Sequence, residues 1–157
     1  MKTNLIKSLF FLVLVTLASC NSNDGDTTPP IINLIAPAEG AVLEIGNDHG
    51  VHFDMELADN EGLAGYKVEI HNNFDGHNHS RAAVETVPFH YDKSWKLDGE
   101  KNKKIHHHEI VIPADATPGK YHLMVFCTDL SGNESYVARN ILLSSDVEDV
   151  DHHHTHE

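Results

Sequence analysis

Apolar and polar residues alternate with a period of two through most of the span from Pro29 to Ser144, and no helical period is sustained there. Ile31–Ala36 is the first candidate strand, entered through Pro29-Pro30, and Val42–Ile45 is a short second one. Val51, Phe53, Met55 and Leu57 alternate with His52, Asp54 and Glu56, the pattern of a half-buried strand. After the turn residues Asp59-Asn60-Glu61-Gly62, inward Tyr66, Val68 and Ile70 alternate with Lys67, Glu69 and His71. Asn72–Ser80 is a polar loop, and Ala82–Leu97 holds one or two strands, around Val87-Pro88-Phe89 and Ser94–Leu97. Asp98–Lys104 is expected as a charged turn, Ile105–Ile112 as a strand and Asp115–Gly119 as a turn. Tyr121, Leu123, Val125 and Cys127 then alternate with His122, Met124 and Phe126, and the tight connection Asp129–Glu134 leads to a last strand, Ser135–Leu143. So many short strands at this spacing predict an all-β, antiparallel sandwich with Greek-key connections.

The N-terminus has another character. Lys2 and Lys7 precede an apolar run, Leu9 to Leu17, too short to span a bilayer as a stable helix and closed by small residues. Leu17-Ala18-Ser19-Cys20 resembles the lipobox of bacterial lipoproteins position by position. That resemblance implies cleavage before Cys20 and lipidation of the cysteine, with the acyl chains as a stable anchor. The expected organisation is a signal peptide over 1–19, a flexible polar tether over 20–28, the sandwich over 29–144 and an acidic, histidine-rich tail over 145–157.

Within the sandwich, the segment from Pro118-Gly119-Lys120-Tyr121 through Thr128-Asp129-Leu130-Ser131-Gly132-Asn133 looks like the last hairpin of bacterial immunoglobulin-like domains. Asp59-Asn60-Glu61-Gly62-Leu63 before the Tyr66 strand is similar to their B–C connection. The chain as a whole resembles an uncharacterised family of short bacterial lipoproteins with one such domain and a histidine-rich loop, here His71 to His79. The resemblance implies an immunoglobulin-like fold in the cell envelope, at the outer membrane or cell surface rather than the inner membrane. Fold of this kind carries little information on function.

Composition sharpens the picture at two points. Acidic residues outnumber basic ones 24 to 11, and a formal charge of −13 excludes nucleic acid as a partner. Histidine is abundant, at 14 residues of 157. Neutral imidazole ligates zinc, copper and nickel, and carboxylates complete such shells. The densest constellation, His71-Asn72-Asn73-Phe74-Asp75-Gly76-His77-Asn78-His79, contains a His77-x-His79 pair with Gly76 to let the loop bend. In an immunoglobulin-like topology the end of strand C adjoins the start of strand F. His71 and His122, both pointing outward, then share one face at one end, beside His77 and His79, with His49 and His52 at that end on the other sheet. The expected ligands are therefore His71, His77 and His79, with His122 or His49 completing the shell.

Two further tracts are secondary candidates. Alternation through His106-His107-His108-Glu109 puts His106 and His108 on one face. His152 and His154 belong to the tail, which reads as a metal-scavenging tract. Asp59, Glu61, Asp129 and Glu134 are residue types that ligate calcium in extracellular sandwiches, but turn formation explains them with less. Cys127 reads as a small buried hydrophobe, and Trp95 as core rather than a sugar platform. No G-x-S-x-G, phosphate loop or H-E-x-x-H occurs. The expected role is non-enzymatic: a lipid-anchored protein that binds a transition metal, zinc first, for capture or hand-over to an outer-membrane uptake system or surface complex. The alternative is an interaction module that contacts protein or glycan, its histidines incidental.

Overall fold

A computed structural model describes residues 25–73 and 86–146. Residues 1–19, expected as a signal peptide, and Cys20, His77, His79, His152 and His154 lie outside the described residues. Eight strands form two sheets: β1 (Ile31–Ala36), β2 (Val42–Glu44), β3 (Phe53–Ala58), β4 (Leu63–Asn72), β5 (Tyr91–Lys96), β6 (Asn102–His107), β7 (Gly119–Asp129) and β8 (Glu134–Ser144). One sheet has the order β1-β3-β6, the other β2-β8-β7-β4-β5, and every pairing is antiparallel except β2 with β8. This is the β-sandwich that the alternation predicted, with a strand order of the immunoglobulin-like kind that the resemblance implied.

The inward positions are those of the period-two reading. Phe53, Met55 and Leu57 face Val68, Ile70, Leu123, Val125 and Cys127, all no more than 2% exposed. Tyr121 repeats a device of the immunoglobulin class, in which a tyrosine near the start of strand F bonds back to upstream backbone. Its hydroxyl donates to the Thr117 carbonyl (2.8 Å) and accepts from the Phe89 N–H (3.1 Å), so a fully buried ring has its polar end satisfied.

The strands depart from expectation at three points. β6 begins at Asn102 and not at Ile105, because Lys103 and Lys104 pair with Leu57 and Glu56 on an edge strand. Lysines are a common guard of sheet edges, and their polarity made this stretch resemble a turn. β6 also ends at His107. Beyond it the chain follows other backbone: Ile110 O accepts from Val51 N (2.8 Å), Ile112 O accepts from Gly46 N (2.9 Å), and both isoleucines are buried. Val87 forms only an isolated bridge with Ala116, and the regular strand of that region is β5.

The gap between edge strands β5 and β6 is closed by rings. Phe53 stacks on His107 (centroids 4.8 Å apart, planes at 12°), His107 on Trp95 (5.2 Å, 27°) and Trp95 on Tyr66 (4.7 Å, 9°). This four-ring stack runs through β3, β6, β5 and β4, so Trp95 is a bridge between the sheets.

Candidate metal centre

With His107 directed into the stack, alternation turns its neighbours outward. Asp54 pairs with His106 in the antiparallel β3/β6 register, and His52 and His108 extend the same outer row by one position at either strand's end. The rings of His52 and His106 meet edge to face at 5.0 Å, those of His52 and His108 at 5.2 Å, and those of His106 and His108 at 5.5 Å. One ligand atom from each of His52, Asp54 and His106 can be chosen so that all lie within 4.8 Å of one another. Two imidazoles and a carboxylate converging in this way fit a tetrahedral ion with an open position. The three histidines are exposed and Asp54 is partly buried.

Local backbone chemistry holds the patch. Gly50 adopts φ of +75°, and a Cβ there would stand 2.0 Å from the His108 carbonyl oxygen, so only glycine lets residues 49–52 lie against 108–110. Just before it, the Asn47 side-chain oxygen accepts from the His49 N–H (2.9 Å), while its amide donates to Glu44 Oε2 (2.8 Å). A cleft of about 410 Å³ beside the patch is lined by Glu44, Asn47, His49, His52 and His108, among others. On the next rung of the sheet Lys104 pairs with Glu56 (2.7 Å), and this contact holds the Glu56 carboxyl below its usual range.

His71 and His122 are direct partners in the β4/β7 register, their rings edge to face at 5.6 Å. The ring Nε2 of His122 is 2.9 Å from the Asn73 side-chain amide. Among the described residues, no set of three convergent ligand atoms includes His71, His122 or His49. His49 instead lines the cleft beside His52 and His108. The convergent set that contains imidazole thus combines the secondary candidate His106 with His52, which the sequence places beside His49 at the histidine-bearing end, and with Asp54, an outward strand position. Their signal was the i, i+2 spacing of His52-x-Asp54 and of His106-x-His108, which matters only once β3 and β6 are known to be neighbours.

His107 itself is a structural residue. Burial lowers its pKa, opposed by the Glu109 carboxylate, which is in turn paired with Lys93. Its Nε2 is buried without a hydrogen-bond partner.

An all-β sandwich of immunoglobulin type with a cross-strand histidine–aspartate patch defines the general class. The chain belongs to a family defined by a domain of unknown function, DUF4625, whose model matches residues 18–144. No curated protein matches it.

Proposed function

We propose that this protein is a lipid-anchored, non-catalytic binder of a transition metal, with zinc as its first ligand and copper or nickel as the alternatives its donors suit. The observation that carries this reading is the convergence of His52, Asp54 and His106 across β3 and β6, with His108 in ring contact with both histidines. An exposed site of few protein ligands suits capture and release, because solvent or a partner's ligand can enter the shell directly. The anchor follows from the lipobox-like Leu17–Cys20 and would hold the site at the envelope surface, within reach of an uptake system. The side-by-side pair His71 and His122 supports a second reading, in which they bind the ion together with His77 and His79.

Zinc titration of the full chain separates the two. Replacing His52 and His106 by alanine should weaken the tightest binding step at least about tenfold, or about 1.4 kcal/mol, and replacing His71 and His122 should leave it unchanged. The reverse pattern supports the loop site. Absence of a stoichiometric zinc-binding step in the full chain removes the metal reading and favours an interaction module.

A further inference from the structure

β8 ends at the rim of the cleft beside the histidine patch. β2 and β8 pair in parallel with Glu44 opposite Ser144, and the Ser144 carbonyl accepts from the Ile45 N–H (2.9 Å). Parallel strands run out of their sheet in one direction. The chain beyond Ser144 therefore exits at the end where Glu44 leads on to Asn47 and His49. Those three residues line the cleft of about 410 Å³ together with His52 and His108. Ser145 and Asp146 are exposed, and the Asp146 N–H donates to the Ser144 hydroxyl (3.1 Å).

From Asp146 the sequence continues Val147-Glu148-Asp149-Val150-Asp151-His152-His153-His154-Thr155-His156, outside the described residues. Extended, residues 147–152 reach at most about 20 Å, or about four strand spacings. That length crosses a cleft lined at once by Glu44 and His52. The chemistry at the far side has room for a further ligand. Tetrahedral zinc takes four, and His52, Asp54 and His106 offer three convergent atoms. Two neutral imidazoles and one carboxylate leave the ion one net positive charge, which Glu148, Asp149 and Asp151 complement. A tethered imidazole meets the open position at an effective concentration on the order of millimolar. The loop histidines are placed differently, since they follow β4, which β7 and β8 separate from β2.

We propose that the C-terminal tail crosses this cleft and places one imidazole, from His152, His153, His154 or His156, in the fourth position of an ion held by His52, Asp54 and His106. This rests on the metal reading of that patch and makes the tail part of the same site, not a separate scavenging tract. A ligand on a tether leaves its ion more readily than one fixed on a strand. The tail position is thus where a partner's ligand enters when the ion is handed over.

The test is calorimetric zinc titration of the full chain, of a variant with His152, His153, His154 and His156 replaced by alanine, and of the variant lacking His52 and His106. The tail variant should weaken the tightest step at least about tenfold, with one equivalent still bound and the unfolding midpoint of the metal-free protein unchanged. Imidazole nitrogen NMR of the full chain at one equivalent should show one tail ring shifting together with His52 and His106. Parental affinity in the tail variant, with weak binding in the variant lacking His52 and His106, overturns the tail ligand and leaves the patch standing. The opposite pattern means that the tail binds alone and overturns both. Two equivalents in the parental chain, one lost with each variant, or a shift of His77 or His79 in place of a tail ring, also overturns the proposal.

Discussion

Asp54 and His106 stand directly opposite each other across β3 and β6, on the outer face of the three-stranded sheet. They stand there because Phe53 and His107, one position along on each strand, are turned inward and stacked at 4.8 Å. The candidate metal centre is thus the outside of a core contact, and its geometry inherits the rigidity of the ring stack beneath it.

Gly50→Ala should damage stability and metal binding together. The added methyl would overlap the His108 carbonyl, and the φ of +75° is strained for any other residue. A loss of about 1–3 kcal/mol in chemical denaturation is expected, with weaker zinc binding, because His52 and His108 are held by that close approach. Unchanged zinc affinity in a folded Gly50→Ala protein would show that the cleft does not position the ligands.

Stability of the metal-free protein should fall as the medium is acidified through pH 6.5. Burial in the stack holds His107 below its ordinary value of 6.5, so the unfolded chain takes up that proton first. Wherever the unfolded state binds more protons, acid favours unfolding. His107→Phe keeps a ring between Phe53 and Trp95 but cannot titrate. Denaturation in EDTA at a series of pH values should give a shallower acid slope for this variant; parallel slopes would contradict the assignment.

Tyr121→Phe removes one hydroxyl that serves two backbone groups, the Thr117 carbonyl and the Phe89 N–H. Both lose a buried partner, so a cost of about 1–3 kcal/mol is expected in denaturant unfolding. A neutral substitution would mean that water replaces the hydroxyl.

Cys127 is fully buried in the core, and burial pushes its thiol up to about 12. Thiolate is the reactive form, so alkylation at pH 8 should follow global unfolding and proceed only in denaturant. Rapid labelling of the native protein would show that β7 opens locally.

The strands on each sheet's inner face were legible because alternation is local: Tyr66, Val68, Ile70, Leu123 and Val125 announce their own burial. The neighbour relation of His71 and His122 was also legible, since it follows from the order of strands C and F. The patch at His52, Asp54 and His106 was not. It depends on the register between segments some fifty residues apart, and lysines at 103 and 104 disguised the start of β6 as a turn. Asp26 was equally obscure, because a polar residue in a tether-like stretch shows nothing of Asp59 and Asp129, the carboxylates it comes to lie beside.

The central claim is that zinc sits between β3 and β6. Imidazole nitrogen NMR of the full chain, with one equivalent of zinc added, reads it most directly. The ring nitrogens of His52 and His106 should shift together and in slow or intermediate exchange, with those of His71 and His122 unmoved. Shifts confined to His71, His122 and the loop histidines, or spread evenly over the tail, would contradict it.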